Sequence, residues 1–179
     1  MAGLTVMKKF SKEKLHLPKI DGITLRWLIN IIGVIVVFFI IVFIISAFSI
    51  KNTYYSNVES ILNSGASSTA VSYFSANLDA GNTLEQSAAE YIDSYSYKEK
   101  TTTWIIDIDG NVVVSSSGFA IEKQDMPDYT QALENDNNKA KYIGKISNGE
   151  KVMAVCRIIK DSNGDNVGAI RVLSSLEQI

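Results

Sequence analysis

The chain has 179 residues and a formal net charge of −2, a length that bounds it to one modest domain plus an accessory segment. The charge is uneven: residues 1–26 hold six basic side chains (Lys8, Lys9, Lys12, Lys14, Lys19, Arg26) against Glu13 and Asp21, whereas Lys51 onward holds eleven basic and seventeen acidic residues. A basic head on a net acidic body argues against nucleic acid as a partner, because phosphate binding needs clustered Lys and Arg on the folded part.

The head, residues 1–26, leads into Trp27–Ile50, 24 residues without a charge, of which 18 are Ile, Leu, Val or Phe. At about 1.5 Å per residue a helix of that length reaches roughly 36 Å, enough to cross a hydrocarbon core with some tilt. Eighteen such residues favour insertion by roughly 5 to 10 kcal/mol. Trp27 sits where an interfacial aromatic anchor belongs. Ala47-Phe48-Ser49 fits a small-x-small cleavage triplet, but the run is much longer than the h-region of a signal peptide, about 7–15 residues. A retained transmembrane helix over 27–50 is therefore expected, with the head in the cytoplasm and residues 51–179 exported.

In the exported part, Tyr54, Val58, Ile61 and Gly65, then Val71, Phe74 and Leu78, recur at helical spacing. They predict one long helix ending near Gly81-Asn82. "TLEQSAAEYIDSY" starts another, and Thr83 with Gln86 three residues on forms a capping-box pattern. From Trp104 the period becomes strand-like. Asp109-Gly110 predicts a two-residue type I′ hairpin, pairing Ile106 with Val113 and Ile105 with Val114. Trp104, Ile106 and Val113 then share one face, and Ile105, Val112 and Val114 the other. Both faces are apolar, so both need a cover. "DMPDYTQALEN" (125–135) reads as a short helix. "KYIGKIS" and "EKVMAVCRII" flank a second hairpin signal at Asn148-Gly149, and "VGAIRVLSS" gives a last strand. Cys156, the single cysteine, offers no disulfide framework and reads as a small buried hydrophobe.

An N-terminal anchor, a long membrane-proximal helix, "WIIDIDGNVVVSSS", the helical "MPDYTQAL" and a closing "GAIRVLSSLEQI" resemble the extracytoplasmic PAS-like (Cache) sensor region of bacterial membrane receptors. The chain is most similar to that of sensor histidine kinases. The resemblance spans Trp27 to Ile179. It implies an α+β fold: a transmembrane helix continuing into a long helix packed on a five-stranded antiparallel PAS-like sheet, with a short helical segment in front. It also implies a homodimer, and a second membrane helix and output module that would follow the closing strand. Kinase activity belongs to residues this chain does not contain.

Several motifs have plainer readings. Asp107, Asp109 and Asn111 could offer oxygens to a hard cation, but the predicted register puts Asp107 and Asn111 on opposite faces, so the segment reads as a structural hairpin. "DSNGDN" (161–166) begins like a calcium loop, yet Asn166 and Val172 stand where the loop needs Gly and Glu. His16, the only histidine, lies before the anchor, so no Ser-His-Asp or Cys-His set can be built. No phosphate-binding glycine motif occurs. No catalytic residue, cofactor or metal is expected.

PAS-like sensors hold small ligands between the sheet and the segment in front of it. Pairing through Asn148-Gly149 places Tyr142, Met153, Val155 and Arg157 on one face. An arginine there can grip a carboxylate bidentately, or else cap the sheet edge in water. Tyr129 and Arg171 complete the candidate ligand-binding set. The expected function is the extracytoplasmic input module of a receptor, a two-component histidine kinase by resemblance. Its partners would be the bilayer, a second copy and a small molecule. The alternative is a membrane-anchored surface protein with a structural or binding role and no output.

Overall fold

The structure is a computed structural model that describes residues 22–94, 101–117, 125–147 and 149–177. His16, the head up to residue 21, and Asn148 lie outside the described residues. The chain divides after Ser49 into two compact units. In the first, the helix that begins at Gly22 carries an 18-residue window of mean hydropathy 3.4 with none of it buried, long and apolar enough to cross a membrane.

The second unit starts at Ile50, within helix α1 (Gly22–Gly65). The predicted single long helix is broken at Ala66-Ser67, and α2 (Ser68–Asp79) follows. The break is local chemistry: Ser67 adopts an extended conformation and its hydroxyl accepts from the Ala70 N–H, an N-cap in mid-sequence. Val58, Gly65 and Phe74 are buried as the spacing predicts, but the stripe runs through Leu62 and Ala70, not Ile61 and Val71. Helix α3 (Leu84–Ser94) opens with the predicted reciprocal box. The Gln86 N–H reaches Thr83 Oγ1 at 3.2 Å, and the Thr83 N–H reaches Gln86 Oε1 at 3.1 Å.

Five antiparallel strands follow: β1 (Thr102–Ile106), β2 (Val112–Ser115), then after α4 (Pro127–Glu134) β3 (Lys139–Lys145), β4 (Lys151–Lys160) and β5 (Asn166–Ser175), ordered β2-β1-β5-β4-β3. This is the α+β, PAS-like arrangement that the resemblance implied, with both faces covered. Behind the sheet, Val58, Leu62, Ala66, Ala70 and Phe74 pack on Ile105, Val155, Ile159 and Ile170. In front, Met126 and Ala132 at α4 pack on Trp104, Ile106, Ala154 and Ile158.

Three turns share one five-residue geometry. The first residue donates to the carbonyl of the fifth, and a glycine in fourth place donates back to the first. The distances are 2.9 and 3.1 Å for Asp107–Asn111, 3.0 and 2.8 Å for Ile146–Glu150, and 3.0 and 3.1 Å for Asp161–Asp165. Gly110, Gly149 and Gly164 have φ of 82°, 87° and 89°, whereas Asp109 does not have positive φ. The β1–β2 turn is thus a type I turn closed by a left-handed glycine, not the predicted type I′. The shared geometry adds a residue, which moves the pairing by one at Ile106 and along the β3–β4 hairpin. Ile106 pairs with Val112, leaving Val113 as a bulge, while Ile105–Val114 pairs as predicted. Tyr142 pairs with Ala154, not Val155. Val112 therefore joins Trp104 and Ile106 on the front face, and Val113 packs behind.

Candidate functional site

The register sets a row across the middle of the front face: Trp104 on β1, Arg171 on β5, Cys156 on β4 and Ala140 on β3 are successive cross-strand partners. A charged residue on this apolar face needs a partner. Helix α4 supplies it. Pro127 opens the helix, which suits its missing N–H and fixed φ, and this sets Asp128 in the first turn, facing the sheet. Arg171 Nε donates to Asp128 Oδ2 at 2.7 Å, and both side chains are 0% exposed. The guanidinium lies over the Trp104 ring, with Cζ 4.9 Å from its centroid, a cation–π contact strengthened by exclusion of water.

The pair is held through one bond only. Among the described residues Arg171 Nη1 and Nη2, Asp128 Oδ1 and Trp104 Nε1 have no hydrogen-bond partner, and all are buried. A buried group left unpaired costs about 1–3 kcal/mol, and such groups in native structures find a protein, water or ligand partner. The site thus presents three donors and one acceptor around a net-neutral pair. That set suits a small molecule whose acidic group accepts from the guanidinium fork and the indole, and whose hydroxyl or amino group donates to Asp128.

Of the four residues expected to bind ligand, three lie on or over the front face. Tyr129 follows Asp128 on α4. Burial raises the pKa of its hydroxyl, aided by the negative charges of its neighbours. The hydroxyl donates to the Asp107 and Ile108 carbonyls at 3.4 and 3.3 Å, tying α4 to the β1–β2 turn. Tyr142 stands on edge strand β3, covers Gly144 and donates to the Lys145 carbonyl at 3.1 Å. Arg157 is corrected to the opposite face from Tyr142 by the one-residue shift. Its Nε donates to the Ala66 carbonyl at 2.8 Å, closing the α1–α2 break. Tyr91 Oη does the same for the Gly65 carbonyl at 2.6 Å. Of the four, Arg171 alone has buried donors without a partner among the described residues.

Cys156 is fully buried beside the pair. Burial pushes its thiol pKa far up, with Asp128 adding to the rise, so it is a poor nucleophile. In the β1–β2 turn the predicted separation of Asp107 and Asn111 is reversed. Asp107 Oδ1 accepts from the Asp109 and Asn111 N–H groups at 2.9 and 2.7 Å, and Oδ2 from Asn111 Nδ2 at 3.0 Å. Partial burial raises the Asp107 pKa, but these bonds outweigh it and hold the carboxylate below its usual range. Asp161 is held down likewise by the Asp165 N–H and by Asn163. These carboxylates brace their own turns.

Asp128 and Trp104 were not singled out by sequence. An acidic residue after proline at a helix start looks like ordinary dipole complementation, and a tryptophan in an apolar strand looks like core. Only the arginine's pairing row could have joined them.

No family model matches the chain, and no curated protein does. Among solved structures it is similar to the Escherichia coli DcuS sensor domain, at 12% identity and a TM-score of 0.40, covering 69% of this chain and 89% of that one. It is also similar to the PAS domain of a Colwellia psychrerythraea protein, at 17% identity and a TM-score of 0.38, covering 54% of this chain and 100% of that one. The fold assignment rests on the chain's own sheet order and register.

Proposed function

We propose that the chain is the signal-sensing input region of a membrane receptor, anchored by 27–50 with residues 51–179 outside the cell, and that it responds to a small hydroxy- or amino-carboxylic acid. The observation that carries this reading is the buried Arg171 with two open Nη groups beside Asp128 and Trp104. A structural ion pair gains most when every lone pair and proton is used; this one leaves a donor fork free.

The sheet offers a route for the signal. Arg171 lies mid-way along β5, and β5 ends at Ser175 opposite Val152. The Leu176 N–H then bonds the Lys151 carbonyl at 2.8 Å, and Lys151 Nζ lies 3.5 Å from Tyr55 Oη on α1. A shift of β5 is therefore felt within a few residues of Ile50, where the apolar run ends. The parent is a receptor of the histidine-kinase type by sequence resemblance.

A thermal-shift screen of the detergent-solubilised chain against small hydroxy and amino acids tests the site. A binder raises the midpoint by mass action, and Arg171→Lys, which keeps a charge for Asp128 but loses the fork, removes that rise. Binding that survives Arg171→Lys ends the site assignment. Protease added to intact cells tests the placement: residues 51–179 should be digested, and their survival would place them inside.

A further inference from the structure

We propose that the β3–β4 hairpin rests on the headgroups of the bilayer and that Lys51, Lys145 and Lys151 bind anionic phospholipid there. This rests on the anchor reading above but concerns a different surface from the ligand site.

Three contacts set α1 against the β3–β4 edge: Arg157 on the Ala66 carbonyl at 2.8 Å, Lys141 on Glu59 at 2.9 Å and Lys151 on Tyr55 at 3.5 Å. As the helix partner steps back from Ala66 to Tyr55, the strand partner steps from the middle of β4 to its first residue, beside the hairpin. The hairpin therefore lies at the start of the folded unit. Tyr55 is five residues past Ile50, the last of the uncharged run, about 7.5 Å of helical rise. That is close to the thickness of one headgroup layer, roughly 5–8 Å, and within a Debye length of about 8 Å.

Three exposed lysines gather at this level. Lys51 Nζ lies 5.8 Å from the Tyr55 ring centroid, and Lys145 is the cross-strand partner of Lys151. Among the described residues none of the three forms an ion pair. Glu150 and Glu177 are the nearby acids. Glu177 Oε1 is turned to the Lys151 backbone N–H at 3.2 Å, not to its ammonium. Tyr54 and Tyr55, both half-buried, pack edge to face at the same level, with centroids 6.1 Å apart. Unneutralised lysines with tyrosines beside the end of an apolar span match the chemistry of a phosphate-bearing membrane surface.

The test uses the whole chain in lipid nanodiscs, with a nitroxide on Ser147→Cys; Cys156 is buried and stays unlabelled. Relaxation by a headgroup-tethered nickel lipid reports hairpin–headgroup contact. Contact is expected to be stronger in discs containing phosphatidylglycerol than in purely phosphatidylcholine discs, and high salt should reduce the difference. Each lysine contributes a preference of about fivefold. Lys145→Glu with Lys151→Glu should thus cut contact by at least on the order of 25-fold, and Lys145→Glu alone by at least about fivefold with the thermal midpoint unchanged. Equal contact in both lipids, or contact that survives charge reversal, overturns the proposal alone. A chain that stays out of the discs overturns the anchor reading and this one together.

Discussion

Breaking the ion pair between α4 and β5 should reveal its energetics. Arg171 and Asp128 meet at 2.7 Å with no solvent exposure on either side chain. Two unit charges about 4 Å apart at an effective dielectric near 20 attract by about 4 kcal/mol. Removing one partner leaves the other charged and buried, which costs about 3–5 kcal/mol, a large part of the 5–15 kcal/mol that typically separates folded from unfolded. Asp128→Ala and Arg171→Met should each lose about that much. The double variant has no buried charge left, so it should lose far less than the two single losses together, a coupling of at least about 3 kcal/mol. Urea unfolding in detergent, followed by Trp104 fluorescence in a Trp27→Phe background, measures all four corners of the cycle. Trp104 touches the guanidinium and so reports this site. If the single losses simply add, within about 0.5 kcal/mol, the two groups are not coupled and the site description is wrong.

Arg157→Ala should destabilise by about 1–3 kcal/mol through the Ala66 carbonyl it abandons, yet leave any ligand-induced midpoint rise intact; its loss would return Arg157 to the ligand site. Gly168→Ala would put a Cβ 2.5 Å from the Ile106 carbonyl oxygen and 3.1 Å from Leu84. The backbone of β1 cannot yield cheaply, so a loss of about 1–3 kcal/mol is expected in urea titration, and a neutral result would show a looser β1–β5 pairing. The depressed pKa values of Asp107 and Asp161 make a signed pH prediction. Their stabilisation is complete above the unfolded value, about 3.9, and is lost as pH falls through the lower folded values. Asp107→Asn with Asp161→Asn should flatten the midpoint-versus-pH curve in that acid window and leave its neutral limb parallel to wild type.

The elements of the fold were legible because their signals are local. Thr83 and Gln86 face each other across one turn, and the capping box they announce is present. The turns were legible in place but not in kind. Asp-Gly and Asn-Gly suit both a two-residue type I′ turn and a type I turn closed by a left-handed glycine. The choice depends on whether Asp107 or Asp161 can fold its carboxylate onto the N–H groups two and four residues ahead. In the β3–β4 hairpin, whose turn starts at Ile146 and has no such carboxylate, the added residue shifts every pairing by one, which is how Tyr142 and Arg157, expected together, came to opposite sides of the sheet; in β1–β2 the Val113 bulge restores the expected pairing at Ile105–Val114. The break at Ser67 was hidden for a related reason: a serine in a helical stripe is a tolerable interior residue until Arg157 and Tyr91 arrive from other elements to take the freed carbonyls.

The buried pair was illegible because its meaning is relational. Arg171 reads as a candidate ligand residue on the last strand, with no countercharge in view, until Cys156 and Ala140, small residues two strands deep on the same row, and Ala132 on α4 let the helix settle close to the sheet. That approach removes water from Arg171, and a charge without water must have a countercharge. Asp128 supplies half of what a guanidinium fork can use and no more. What marks this pair among salt bridges is its incompleteness: a single Nε bond joins it, and among the described residues both Nη groups, Asp128 Oδ1 and the nearby Trp104 Nε1 have no hydrogen-bond partner. Unpaired buried donors cost about 1–3 kcal/mol each, so a group that accepts from them should stabilise the fold, which is the effect the proposed ligand would have.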